Sequence, residues 1–323
     1  MSESMNIAIS INEKYIPYAY VTLTSLFENN SKVHINVYVL YEQKEDRVLH
    51  IFDELAKKYG QNIHYLEMSQ AVFGDKLPRN DTWTVEIYYR LALPEVLPDE
   101  VNRILYLDVD IIVMDSLKEL YDMDLQGKSI GACKDMGVLY GSGPLSSKQE
   151  ELFGIFMKDG EYAYFNSGVL LMDIAKMRRE KRSAASFVEV GECFADYING
   201  DQDILNYVYH DDVVYADTER YNLFARALYN MGRDYTWVKE HGAIVHFVGR
   251  KPWHHEAVRY NTEKLFWEYA KKTPYYTALL EQVVIGEVES GFIDSAMKRL
   301  EQEKTELLET LQKCMGVLKN LNQ

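Results

Sequence analysis

The chain has 323 residues, 47% of them hydrophobic, ample for one large α/β domain with an appendage. A formal net charge of −15 argues against a nucleic-acid groove or an anionic membrane surface as main partner, so a phosphate-bearing ligand would need a metal or a few local cations. Cys133, Cys193 and Cys314 lie far apart, with neither zinc-ligand spacing nor a disulfide framework, which fits a reducing cytoplasm.

Met5–Ile11 reads as a first strand, Asn12–Tyr15 as a turn, and Pro17 opens a helix that stops at Asn29-Asn30-Ser31. Before them, Met-Ser-Glu-Ser-Met lacks the basic stretch of a signal peptide, and nowhere does an apolar run approach a membrane span. Ile35–Tyr41 is a second strand. A helix over Lys44–Tyr59 puts Val48, Leu49, Phe52, Leu55 and Ala56 on one face and ends at Gly60. Ile63–Met68 is a third strand. This βαβαβ alternation predicts a parallel, Rossmann-like sheet with ligands beyond the carboxyl ends of its strands. No Gly-x-Gly-x-x-Gly follows the first strand, which speaks against a dinucleotide. Val72–Trp83 reads as a loop and Thr84–Leu97 as a helix carrying Arg90.

The next strand, Arg103–Val113, is an apolar, β-branched run interrupted by Asp108 and Asp110. Side chains two apart on a strand share a face, and two like charges buried together need something positive between them. Oxygen ligands with room for water and phosphate suit a hard divalent cation, Mg²⁺ or Mn²⁺, better than zinc. The plain alternative is a polar strand end before the next helix, with Asp115 or Ser116 as its cap.

A short helix over Ser116–Tyr121 follows, then a strand, Ile130–Lys134, ending at Asp135. Gly137–Ser147 is a candidate lid or a surface turn. Tyr164–Met172 sets the polar triplet Asn166-Ser167-Gly168 near the head of an apolar strand. Helices are expected at Ile174–Arg182, at Ser186–Ile198 and from Gly200, where Asp201 and Asp203 suit a helix start and Gln202 is left unexplained. Ala243–Val248 is a late strand bearing His246. From Asn261 the pattern is helical, and Ile293, Met297, Leu300, Lys304, Leu307, Leu311, Cys314, Leu318 and Leu321 form a heptad stripe. Such a stripe either packs on its own domain or forms a homodimer through the C-terminal helix.

Four ordered motifs give the chain a resemblance to glycosyltransferase family 8, the group of bacterial lipopolysaccharide α-galactosyl- and α-glucosyltransferases and glycogenin. They are Leu-Tyr-Leu-Asp-Val-Asp with Asp115-Ser116-Leu117, Tyr-Phe-Asn-Ser-Gly-Val-Leu-Leu, Asp-Gln-Asp-Ile-Leu-Asn, and His-Phe-Val-Gly with Lys-Pro-Trp. The resemblance runs from Met5 to Trp253. It implies an α/β GT-A (Rossmann-like nucleotide-diphospho-sugar transferase) domain over residues 1–260 and a helical extension over 261–323. It also implies a UDP-hexose donor, a glycan or other hydroxyl acceptor, Mn²⁺ or Mg²⁺, and retention at the anomeric carbon. Carried over by position, Asp108, Asp110 and His246 are metal ligands. Ser10, Ile11, Asn12, Tyr15 and Val109 contact the nucleotide, and Gly249 and Lys251 the diphosphate. Arg90, Asp135, Asn166, Asp201 and Gln202 surround the donor sugar, with Gln202 nearest the reacting face. Asn12 stands where the family usually has an acid, and the span from Gly249 to Lys251 is one residue shorter than its commonest form.

Gln202 is a poor nucleophile, because an amide oxygen is barely basic. Same-face attack through an oxocarbenium-like ion pair is therefore favoured over a covalent intermediate, although Asp135 and Asp201 are carboxylates that could act covalently. Two other readings compete: a non-catalytic sugar-nucleotide-binding scaffold, and a Mg²⁺-dependent phosphatase whose Asp-x-Asp normally lies on the first strand. The expected location is cytoplasmic, with peripheral contact at the inner membrane face.

Overall fold

A computed structural model describes residues 4–42, 49–69, 73, 77, 84–140, 150–151, 154–158, 160–193, 200–255 and 260–321. The chain divides into two compact units, one of residues 1–249 with 260–273 and one of residues 250–259 with 274–323.

The first unit begins as its hydrophobic periodicity predicts. Strand β1 (Met5–Ser10), helix α1 (Ile16–Asn29), β2 (Ile35–Glu42), α2 (Asp53–Tyr59) and β3 (Asn62–Met68) make parallel β1–β2 and β2–β3 pairs. The α2 helix ends on Gly60 in the left-handed conformation, its amide reaching back to Ala56 and Lys57. Most of the expected Val72–Trp83 loop, part of the Gly137–Ser147 segment and residues 44–48 of the second expected helix lie outside the described residues. Thr84–Leu97 is not one helix. A 3₁₀ stretch, Val85–Ala92, gives way to a single α-turn, Leu93–Val96. Pro94 explains the break, because its ring clashes with the carbonyl four residues back and it has no N–H to give.

The Arg103–Val113 run is two strands. β4 (Arg103–Leu107) pairs in parallel with β1, whereas β5 (Ile111–Val113) leaves that sheet. The chain continues through β6 (Ile130–Lys134), a two-stranded hairpin of β7 (Met157–Lys158) and β8 (Glu161–Tyr162), and β9 (Phe165–Asp173). The remaining strands are β10 (Val213–Tyr215), β11 (Leu223–Phe224) and β12 (Ile244–His246). The large sheet has the order β10-β6-β9-β4-β1-β2-β3, and β9 runs antiparallel to both β4 and β6. It is therefore mixed rather than all-parallel. A small sheet, β11-β12-β5, pairs β12 antiparallel to β5 with His246 opposite Ile111.

Between β4 and β5 the residues Asp108, Val109 and Asp110 form a bend, which α1 fastens from below. The Thr22 hydroxyl bonds to the carbonyls of both Val109 and Ile111, at 2.9 Å each. The Val113 amide donates to Ser25 Oγ, and Asn29 Nδ2 donates to the Val113 carbonyl. Residues 260–273 join this unit through the helix Lys264–Ala270, with Asn29 also bonded to the Tyr269 hydroxyl.

The second unit carries the helices Tyr276–Ser290 and Phe292–Leu321. Along the latter, Met297, Leu300, Leu307 and Leu311 of the heptad stripe are at least half exposed.

Thr22→Val should leave two buried carbonyls short of a donor without changing side-chain shape. Denaturant unfolding is expected to show a loss of about 1–3 kcal/mol.

Candidate active site

The acidic bend receives its third member from the small sheet. Because β12 runs antiparallel to β5, His246 arrives one residue beyond Asp110, and the Phe247 amide donates to the Asp110 carbonyl. His246 Nε2 lies 3.2 Å from Asp110 Oδ1 and 3.7 Å from Asp108 Oδ2. One ligand atom from each of the three residues falls within 4.8 Å of the others. Gly168, opposite Asp108 across the β9 edge, leaves the space beside them: a Cβ there would come within 2.4 Å of His246 Cε1 and 2.6 Å of Asp108 Oδ2. Two carboxylates and an imidazole around a side-chain-free position fit a divalent cation.

Arg90 supplies the compensating charge. Its guanidinium is fully buried, pairs with Asp108 Oδ1 at 2.8 Å and Asp201 Oδ2 at 3.1 Å, and donates to the Ser167 carbonyl at 2.5 Å. It also lies over the Tyr106 ring, 4.1 Å from the centroid, while the Tyr106 hydroxyl bonds to Asp108. Burial works to lower the Arg90 pKa, and Asp108 and Asp201 outweigh it, holding the guanidinium protonated. Burial pushes the Asp201 carboxyl up to about 6, with Arg90 pulling it down and Asp108 pushing it up.

On the other side lies a chain of amides. Gly200, at φ 86° and ψ −151°, adopts a conformation reserved for glycine. It swings the chain into the helix Asp201–Tyr209, so that Asp201 and Gln202 occupy its first turn. Gln202 Oε1 accepts from Asn166 Nδ2 at 2.8 Å and from the Ser167 amide at 3.0 Å. Its Nε2 donates to Asp135 Oδ2 at 3.0 Å, and the other Asp135 oxygen accepts from the Gly137 and Val138 amides. Asn166 Oδ1 accepts from the Gly168 amide and from Asn222 Nδ2, and Asn222 Oδ1 faces His246 Nδ1 at 2.9 Å. Asp135, Asn166, Gln202 and His246 are thus joined, and Arg90 ties Asp108 to Asp201.

At and just after the end of β1, Ser10 and Tyr15 approach the same cluster. Asn12 caps the turn Glu13–Tyr15 by accepting from the Tyr15 amide, and the Ile11 amide bonds to the Leu40 carbonyl. The Ser10 hydroxyl lies by that of Tyr106. Burial raises the Tyr15 hydroxyl pKa, and Asp110, Asp108 and Glu86 raise it further, which sets that phenol beside the acidic bend. Val109 is buried. Gly249, at φ 77°, ends the first unit's main stretch, and Lys251 belongs to the second unit, its amide facing His254 Nδ1. Sequence reasoning gave no role to Tyr106, Gly168 or Asn222. The first two stand inside quoted motifs, while Asn222 has no local signal.

The sequence model for glycosyl transferase family 8 matches residues 6–257. The chain belongs to that family. It is 26% identical over 288 residues to the lipopolysaccharide glucosyltransferase WaaO of Escherichia coli K12, covering 86% of this chain and 81% of that protein. Against the lipopolysaccharide 1,3-galactosyltransferase of Salmonella typhimurium LT2 the identity is 24%, over 87% and 82% of the two chains. Among solved structures, the galactosyltransferase LgtC in complex with donor and acceptor sugar analogues aligns with a TM-score of 0.68 at 29% identity. That match covers 84% of this chain and 96% of LgtC. The fold is GT-A, with helices at the C-terminus, and the chain is a family 8 glycosyltransferase. No described helix is long and apolar enough to cross a membrane.

A buried carboxyl raised from 3.8 to about 6 destabilises the folded chain above pH 6 by about 3 kcal/mol, and that penalty vanishes below about pH 4, where both states are protonated. Asp201→Asn should therefore match the parent's stability at pH 4 and gain on it steadily to pH 6, as read by denaturant unfolding in chelator.

Proposed function

We propose that this glycosyltransferase moves a hexose, glucose or galactose, from a UDP-hexose to a carbohydrate or other hydroxyl acceptor, with retention at the anomeric carbon. Asp108, Asp110 and His246 would hold Mn²⁺ or Mg²⁺. The observation that carries this reading is the meeting of those three side chains, brought from two sheets, at one end of a connected chain of sugar-side residues. The likeness to lipopolysaccharide glucosyl- and galactosyltransferases supports the hexose. A bound cation would supply Lewis-acid neutralisation of the charge that develops on the leaving diphosphate.

The chain's own groups divide the remaining work. Tyr15, with Ser10, Ile11, Asn12 and the Val109 backbone, would border the nucleotide, and Gly249 and Lys251 the diphosphate. Arg90 holds Asp108 and Asp201 in place for the sugar. The Gln202 oxygen already accepts two hydrogen bonds, and each Asp135 oxygen takes at least one N–H. Asp201 Oδ2 is ion-paired with Arg90 at 3.1 Å, without a hydrogen bond among the described residues. With Gln202 and Asp135 engaged in hydrogen bonds and Asp201 held by Arg90, the arrangement supports same-face substitution through an ion pair, with the leaving phosphate taking the acceptor's proton. The setting would be cytoplasmic, peripheral to the inner membrane face.

Without acceptor, full-length protein plus Mn²⁺ should slowly release UDP from UDP-glucose or UDP-galactose. With acceptor, the anomeric proton coupling of the product should report the donor's configuration. The Asp108→Asn/Asp110→Asn double variant should fold and lose metal-dependent UDP binding by calorimetry. UDP affinity indifferent to Mn²⁺ in the parent protein would sink the metal assignment.

A second copy of the chain would be the partner of the Phe292–Leu321 helix, pairing through its heptads. Light scattering should give a dimer mass for the parent and a monomer mass for Leu300→Glu/Leu307→Glu. A monomeric parent overturns that pairing.

A further inference from the structure

Asn222 is fully buried, as is His246 but for 2% of its surface. A buried primary amide is costly unless both of its ends are paired. Here each end has one partner, and the identity of every atom in the chain follows from one group that has no choice. The Gly168 backbone N–H can only donate, and it points at Asn166 Oδ1 over 2.9 Å. The Asn166 atom there is therefore oxygen. Asn222 approaches that same oxygen at 2.9 Å, so it must present its NH₂. Its own oxygen is then left for His246 Nδ1, again at 2.9 Å. An oxygen acceptor requires the hydrogen to sit on Nδ1. In the neutral ring, the form that ligates a metal, the lone pair is then on Nε2, the nitrogen that faces Asp110 and Asp108.

We infer that Asn222 is a positioning residue that locks His246 with its hydrogen on Nδ1 and its Nε2 lone pair aimed between the two aspartates, its orientation being dictated through Asn166 by the Gly168 amide. This rests on the metal-dependent reading above. Ligating histidines depend on such a partner to fix ring and tautomer, and its removal weakens metal affinity by about 10–100-fold. The Phe224 ring, edge-on to His246 at 5.4 Å, restrains the ring's plane and offers no acceptor, so the hydrogen's place depends on Asn222. The device also couples the two halves of the site. A shift of Asn166 by a bound sugar would be felt at His246 through a single side chain.

The test uses full-length protein with UDP present, following free Mn²⁺ by its paramagnetic resonance signal. Asn222→Leu, similar in size and without an acceptor, should bind Mn²⁺ about 10–100-fold more weakly than the parent. Asn222→Asp retains an oxygen for Nδ1–H and should restore affinity close to the parent's, which a merely structural role would not predict. A second measurement needs no variant: nitrogen-15 spectra of the Mg²⁺-loaded parent should show His246 protonated at Nδ1. Asn222→Leu binding like the parent, Asn222→Asp as weak as Asn222→Leu, or an unprotonated Nδ1 in the loaded parent would each overturn the role of Asn222. A parent that binds no Mn²⁺ overturns the metal-dependent reading itself, and this inference with it.

Discussion

Everything at the site depends on the bend at Asp108–Val109–Asp110. There the chain stops pairing with β1 and β9 and begins pairing with β12. A strand that crosses from one sheet to another leaves some backbone groups without ladder partners, and these must be satisfied in another way. Thr22, Ser25 and Asn29 of α1 satisfy them with side chains. The switch brings His246 to Asp110 by strand register and Gly168 to Asp108 across β9. Two sheets meeting at a bend thus set three candidate ligands by backbone hydrogen bonds rather than by loop conformation, which keeps their spacing stiff.

The second constraint is charge. Asp108, Asp110, Asp135 and Asp201 crowd a region in which Arg90 is the buried guanidinium. Like charges this close repel strongly in a poorly solvated interior, and one cation between two of them offsets only part of that. The raised pKa of Asp201 comes first from burial, which Arg90 offsets only in part and Asp108 adds to. A divalent cation at the Asp108–Asp110–His246 cluster would remove most of the repulsion, and a diphosphate, itself anionic, would then be attracted rather than repelled.

Much of this was legible in the sequence, and the pattern of what was not has a physical cause. The βαβαβ opening follows from hydrophobic periodicity, and the acid pair stands out because carboxylates are rare in an apolar run. The split of Arg103–Val113 into β4 and β5 was hidden, because both halves have the same composition and the partner that draws β5 away lies some 130 residues later. The antiparallel direction of β9 leaves no local mark either, since a strand buried on both faces reads the same in both directions. Thr22 and Ser25 look like ordinary polar positions of an amphipathic helix until β5 is laid beside them. As candidate site residues, Asn166, Asp201 and Gln202 entered only by resemblance to a family, and Asn222 not at all. Its partners, His246 and Asn166, are distant in sequence in both directions.

Those amides add a kind of order that carboxylates cannot. A carboxylate accepts from either oxygen and imposes no direction, whereas an amide donates at one end and accepts at the other. Asn222, Asn166 and Gln202 in series therefore have a polarity, set by the fixed N–H groups of Gly168 and Ser167. At one end that polarity commits His246 Nδ1 to donate; at the other it commits Gln202 Nε2 to face Asp135. Replacing Asn166 or Gln202 by an acid of the same shape would keep the packing and erase the direction, whereas an acid at Asn222 still offers His246 Nδ1 an oxygen. At Asn166 and Gln202 a side chain of the right size is therefore not enough, and the amide there is a requirement of hydrogen-bond direction rather than of volume, while at Asn222 the requirement is the oxygen that faces His246.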